Sequence, residues 1–210
     1  MTGGGALARV IRSTADRRAA DEERCDLCAA PVAGEHRHVY DGERQEVLCA
    51  CRPCALLFVR DEASEGHYRL VPERRLRLPP LDTAPLGVPV GLAFFVPHPD
   101  GTVTAHYPGP AGAVRWQVEA SAWREVAAGC PLVESVTPDV EALLMNTARD
   151  ARHHWIVPVD DCFRLVALVR REWRGLSGGT RVWPAVDGFF ADLTSTGSTP
   201  WEPSGSDTRM

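Results

Sequence analysis

The 210-residue chain contains no lysine: all 23 of its basic residues are arginine, and Asn146 is its one asparagine. The bias points to codon usage in a GC-rich genome, and it leaves no lysine for a phosphate loop of the Gly-x-x-x-x-Gly-Lys type. A run of eighteen apolar residues is also missing, which argues against a membrane-spanning helix. No secretory leader is expected, because Val10-Ile11 between Arg9 and Arg12 is too short for an apolar h-region. There is no internal repeat and no excess of positive charge. Residues 1–80 hold 13 Arg and 13 Asp plus Glu, net zero, and residues 81–210 hold 10 Arg and 15 acids, net −5. A broad basic face for nucleic acid is therefore not expected.

Cysteine, by contrast, is concentrated. Five of the seven fall between Cys25 and Cys54, as Cys25-Asp-Leu-Cys28 and Cys49-Ala-Cys51-Arg-Pro-Cys54. Two short loops about twenty residues apart, each aiming two sulfurs at one point, are what a tetrahedral Zn²⁺ or Fe site requires. Without a leader, thiols in this spacing fit a reducing cytoplasm better than a disulfide framework. Between the two groups, Asp41-Gly42 marks a two-residue hairpin turn flanked by strand-like runs. After Cys54, Ala55 to Val59 has no breaker and reads as the first turns of a short helix. A cysteine knuckle, a hairpin and a Cys-x-x-Cys at a helix start resemble a treble-clef or zinc-ribbon module. Its ligands would be Cys25, Cys28, Cys51 and Cys54, with Cys49 a spare thiol. Other groupings remain open: Cys49 can replace Cys51, and His36 or His38 can enter the shell, since residues two apart on a strand face the same way. The alternative without metal is a group of reduced, buried thiols, which Asp26, Arg52 and Pro53 make a poor apolar core.

The chain divides into a flexible tail (1–22), the four-Cys module (23–66), a Pro/Arg-rich linker (67–85), an α+β body (86–193) and a disordered Ser/Thr/Gly/Pro tail (194–210). Strands are expected over 88–96 and 102–107 across the turn Pro99-Asp100-Gly101. Val114, Trp116 and Val118 mark a half-buried third strand, and Trp155 to Pro158 a fourth. Helices are expected over 122–128, from Thr137-Pro138 to about Thr147, from Asp160 to about Trp173, and from about Arg181 to Leu193. The fold class is α+β, with a small antiparallel sheet covered on one face by helices. Arg75-Leu-Arg-Leu78 reads as a strand with one solvated face.

Three features of the body bear on catalysis. Cys162 sits where a helix dipole lowers a thiol pKa, but Cys162, Leu165, Val166 and Val169 also form the core stripe of an amphipathic helix. Gly175 to Gly179 with Arg174 can offer an anion site or simply a helix stop and turn. His153 and His154, adjacent on a strand, point to opposite faces and cannot easily share a metal, whereas His36 and His38 can, with Cys49. Cys130 reads as a small buried residue.

Seven motifs in order carry a resemblance: Cys25-x-Leu-Cys28, His36-Arg-His38, Leu48-Cys-Ala-Cys-Arg-x-Cys-Ala-Leu-Leu-Phe58, Tyr107-Pro-x-Pro-Ala-Gly112, Pro138-Asp-Val-Glu-Ala-Leu-Leu144, Val157-Pro-Val-Asp-x-Cys-Phe163 and Trp173-Arg-Gly-Leu-Ser-Gly-Gly179. Over residues 24–193 the chain resembles an actinobacterial family of unknown function found in gene neighbourhoods of nickel-iron hydrogenases. The family pattern has Tyr where Phe163 stands. The resemblance implies an accessory or assembly role beside a hydrogenase subunit or maturation factor. The residues themselves fit a zinc-stabilised, non-enzymatic interaction protein. The competing expectation is rubredoxin-like electron transfer, or metal or sulfur transfer, using iron or an exchangeable thiolate. Against it, Ala29 and Ala55 stand where rubredoxin-like knuckles carry glycine.

Overall fold

Three short segments of the N-terminal region pair as an antiparallel sheet in the order β2-β1-β3: β1 (Arg37–Asp41), β2 (Glu46–Ala50) and β3 (Tyr68–Leu70). The computed structural model describes residues 23–59, 67–88, 91–175 and 178–198 and divides into two units, Met1–Leu70 and Val71–Met210. The tail expected over 1–22 and most of that over 194–210 lie outside the described residues.

In the first unit the β1–β2 hairpin closes through four residues, 42–45, not through a two-residue Asp-Gly turn, since Asp41 pairs with Glu46. The buried Asp41 carboxylate accounts for the longer loop by accepting hydrogen bonds from the backbone N–H of Glu43 and Arg44, each at 3.0 Å, and Gln45 takes a left-handed φ of 55°. Helix α1 (Arg52–Leu56) follows β2 directly, with Pro53 in its first turn where a missing N–H costs nothing. Its buried apolar cluster is small: Val39, Ala50 and Ala55, with Leu27, Phe58, Tyr68 and Leu70 packed against them.

The second unit is built on a six-stranded, wholly antiparallel sheet in the order β4-β9-β8-β5-β6-β7. The strands are β4 (Leu76–Arg77), β5 (Leu92–Pro97), β6 (Val103–Gly109), β7 (Gly112–Val118), β8 (Glu141–Asn146) and β9 (His153–Pro158). Helix α2 (Ala120–Gly129) packs on one face, where Trp123 lies against Phe95 with ring centroids 6.4 Å apart and Val126 and Ala127 join the core with Ala93, Ala105 and Leu143. Helices α3 (Val159–Glu172) and α4 (Val182–Thr196) cover the other, with Phe163 edge-on to Phe94 and Phe190 stacked on His153. The sheet is thus buried on both faces rather than one.

Four expectations are corrected here. The helix read over 137–147 is strand β8, all six of whose residues are buried between β5 and β9. Its Glu-Ala-Leu-Leu-Met sequence favours a helix, but burial on both faces of a central strand overrides that local preference. The acidic residue that resembled a helix start serves the preceding turn instead: the Glu141 carboxylate accepts the Thr137 N–H at 2.8 Å. The stretch 67–85, read as linker, carries β3 and β4. Helix α4 runs on to Thr196, and Ser198 bridges to Leu76, so the chain is ordered past Thr194. Finally, only Val118 of the expected apolar face of β7 is buried. Val114 and Trp116 are 67% and 70% exposed; β7 is an edge strand, and of its apolar face Val118 alone joins the core cluster with Val126 and Ala127 of α2.

Candidate metal centre

The first two thiols sit on a tight reversal of the chain. Val32 N–H donates to Glu23 O, Cys25 N–H to Ala30 O and Ala29 N–H to Cys25 O, at 2.8 to 2.9 Å, and Arg24 bridges to Pro31. The reversal closes with Ala29 at φ 61°, a left-handed conformation that costs an alanine about 1 kcal/mol and a glycine almost nothing. Asp26 ties this knuckle to the end of β2. Its carboxylate accepts the Cys49 N–H at 2.6 Å, and its own N–H donates to Cys49 O at 2.9 Å. The second pair comes from the start of α1: Cys51 is its N-terminal flanking residue, and Cys54 lies one turn on, so the helix geometry turns both sulfurs to one side.

The four sulfurs of Cys25, Cys28, Cys51 and Cys54 all lie within 4.8 Å of one another. Those of Cys28 and Cys51 are 3.6 Å apart, and all seven cysteines are free thiols. Four thiolates at about 2.3 Å from one tetrahedral ion stand about 3.8 Å from each other, so the cluster is already close to metal-bound spacing. Its protonation pattern is uneven. Burial pushes the Cys25 thiol up, but hydrogen bonding to the backbone of Cys51, Leu27 and Cys28 and to the Cys28 thiol outweighs it and brings Cys25 down to about 6. Crowding by the Cys28 and Cys51 thiols, then burial, pushes Cys54 up to about 12. Cys25 loses its proton readily, and Cys28 and Cys54 then resist losing theirs. A divalent cation at the centre removes that conflict, because it neutralises the charge the sulfurs would otherwise share.

A second cluster lies in the same unit. One ring nitrogen each of His36 and His38 and the sulfur of Cys49 come within 4.8 Å of one another. The two rings are 4.7 Å apart, as residues on one face of a strand should be, and Cys49 stands opposite His38 in the β1–β2 register. Burial raises the Cys49 thiol, and the charges of Asp26, Glu23 and Cys25 act in the same direction.

The other sequence candidates are not brought together with either cluster. Cys162 is fully buried on the core side of α3 with Leu165, Val166 and Val169, and burial, with Asp161 and Asp160, drives its thiol well above the ordinary value. The desolvation of the thiolate outweighs the helix dipole, and this sulfur is packing. Cys130 is likewise part of the core. His153 stacks on Phe190, while its neighbour His154 is buried and burial lowers its pKa. Arg174 turns back onto the carbonyls of Arg171 and Trp173, both at 2.8 Å, and Gly175, Gly178 and Gly179 all take positive φ. The loop therefore terminates a helix, with its arginine engaged. Within Arg75-Leu-Arg-Leu78, Leu76 and Arg77 form the expected strand as β4, but Arg75 is engaged in an ion pair and not left to solvent, and Arg74 beside it is likewise paired. Arg74 makes a two-pronged pair with Glu141 (2.9 and 2.7 Å) and Arg75 with Asp161 (2.6 and 3.2 Å).

Sequence reasoning missed one polar chain. His98 Nδ1 lies 2.7 Å from the Asp139 carboxylate, and its Nε2 lies 2.9 Å from Thr104 Oγ1. The array occupies both imidazole nitrogens and holds Asp139, at φ 64°, to the β5–β6 hairpin, whose Pro97 carbonyl also accepts the Asp139 N–H. Its only sequence signal was the turn chemistry around Pro99-Asp100-Gly101, because Asp139 joins from forty residues away.

The model of a family of unknown function, DUF5947, matches residues 24–197, a span that takes in both clusters and the whole described sheet. The chain belongs to this family. No curated protein and no solved structure matches it. The DUF5947 match brings no activity with it, so function has to be argued from the centre itself. No helix among the described residues is long and apolar enough to cross a membrane.

Proposed function

We propose that this DUF5947 chain is a zinc-stabilised, non-enzymatic interaction protein whose N-terminal unit is a treble-clef-like module closed by Cys25, Cys28, Cys51 and Cys54. The observation that carries the reading is the convergence of four sulfurs to within 4.8 Å in a unit whose buried apolar cluster, among the described residues, is only Val39, Ala50 and Ala55. Units of this size without a large core need a metal or disulfide to fold, and no disulfide is present. Four thiolates fill a tetrahedral shell and leave no position for substrate, so the ion serves structure.

The interaction role is supported by apolar surface beside the centre. Leu56, Leu57 and Val59, at the end of α1, are each more than 60% exposed. The gene-neighbourhood resemblance makes a nickel-iron hydrogenase subunit or maturation factor the first partner to try. The test begins with elemental analysis and a visible spectrum of anaerobically purified protein. One tightly held, colourless zinc per four-thiol centre is expected. Iron with thiolate charge-transfer bands would overturn the structural reading in favour of electron transfer.

A further inference from the structure

The four-thiol centre leaves Cys49, His36 and His38 unassigned, although they lie in the same unit with their donor atoms within 4.8 Å. The state of His36 is the telling detail. Its side chain is 8% exposed, and its Nδ1 lies 2.8 Å from the carbonyl oxygen of Ala33. A carbonyl has no proton to give, so Nδ1 must carry the hydrogen, and Nε2 of the neutral ring then presents a bare lone pair. That Nε2 is buried without a hydrogen-bond partner. A buried acceptor left unsatisfied is costly, so this nitrogen is set to receive a partner. Metal-bound histidines have this same arrangement, with one nitrogen fixed by a backbone carbonyl and the other on the ion.

The surroundings favour a cation. The Asp26 carboxylate sits against the Cys49 backbone, and a Glu23 oxygen lies 3.6 Å from His36 Nδ1. The hairpin register holds the set together: His36 and His38 share one face of the chain entering β1, and Cys49 is brought opposite His38 by strand pairing.

We propose that His36, His38 and Cys49 form a second metal site, which takes a divalent borderline ion such as Zn²⁺ through two imidazoles and one thiolate and keeps its fourth coordination position open to an exogenous ligand. Loading converts Cys49–SH to a metal-bound thiolate and releases its proton to solvent, with no change of oxidation state. Three protein ligands with an open fourth position distinguish this site from the closed four-thiol centre, and its ion is the more exchangeable of the two.

The test uses the full chain, stripped under reducing conditions and reloaded with Co²⁺ and then with Zn²⁺, the bound ions being counted with a chromophoric competitor. Two ions per chain are expected for the unaltered protein. One ion is expected for Cys49→Ser and for His38→Gln, with the intense four-sulfur Co²⁺ charge-transfer bands unchanged. Added thiocyanate should shift the Co²⁺ ligand-field bands of the unaltered chain but not those of Cys49→Ser. One ion per chain in the unaltered protein, or two retained by both variants, overturns the proposal. Because the four-sulfur bands report the first centre separately, loss of those bands alone counts against the structural centre and not against this site.

Discussion

Among the described residues, the unit Val71–Met210 buries a six-stranded sheet on both faces with three helices, whereas in the unit Met1–Leu70 the buried apolar cluster comes down to Val39, Ala50 and Ala55. The same residue type takes opposite parts in the two. Cys130 and Cys162 are small apolar fillers in the core, and burial pushes the Cys162 thiol well above its ordinary value. The five N-terminal cysteines lie in loop, strand and helix start, where backbone hydrogen bonds hold Cys25 down and neighbouring thiols push Cys54 up. Where apolar burial suffices, cysteine is packing; where it does not, the proposed metal centre takes over the stabilising role.

The sharpest way to break this comparison is to remove metal from one unit and watch the other. Chelation or Cys54→Ser should unfold the N-terminal unit outright, since a structural zinc contributes on the order of 10 kcal/mol to a module of this kind. The thermal transition of the second unit should survive. Amide resonances of residues 23–59 that stay dispersed after chelation would show that the small core is enough.

The reverse experiment destabilises the second unit alone. Arg74→Ala strands Glu141, a nearly fully buried carboxylate, without its guanidinium, and should cost about 3–5 kcal/mol while leaving metal content unchanged. Denaturant midpoints that move by less than a quarter of this would mean that the Thr137 backbone and water satisfy Glu141 without the arginine.

Acid sharpens the comparison at an intermediate scale. His106, stacked on Phe94 at 4.6 Å, is held down to about 4 by burial first and by the Arg115 charge second, against an ordinary 6.5. Between these values the unfolded chain binds a proton that the folded chain refuses. The stabilising contribution is therefore complete above pH 6.5 and is lost as the pH falls through 4, amounting to about 3 kcal/mol. Denaturation curves at pH 7 and 4.5 should show this slope reduced in His106→Gln.

The smallest expected effect lies in the knuckle. Ala29→Gly relieves the left-handed strain at φ 61° and should raise the stability of the metal-loaded N-terminal unit by about 0.5–1 kcal/mol, because the gain is partly offset by the freer unfolded chain. A loss of stability in this variant would show that the alanine methyl group contributes packing that outweighs the strain.

Several features were legible from sequence because they are local. The Cys-x-x-Cys pairs, the strands on either side of Asp41-Gly42, the α3 stripe of Cys162, Leu165, Val166 and Val169, and the helix stop at Gly175 each follow from stereochemistry within a turn or two. The hairpin loop was misjudged because Asp41 satisfies the backbone of Glu43 and Arg44 in a longer turn. The β8 segment was misread because Glu-Ala-Leu-Leu-Met carries a helical preference that only the flanking β5 and β9 overrule. The His98–Asp139 contact and the Arg74 and Arg75 pairs join residues 41 to 86 positions apart, and no local pattern announces them.

Sequence alone offered the thiols for a four-sulfur centre, since each Cys-x-x-Cys pair, three residues apart, can aim both its sulfurs to one side, but it left open which of Cys49, Cys51, His36 and His38 complete the set. It also determined which cysteine of the body belongs to a core stripe. Tertiary structure decided that β8 is a strand, which arginines are paired, and that Cys49 faces His36 and His38 rather than the four-thiol cluster. The physical reason is the same in each case: short-range periodicity is written into adjacent residues, while register and burial exist only when distant segments have paired.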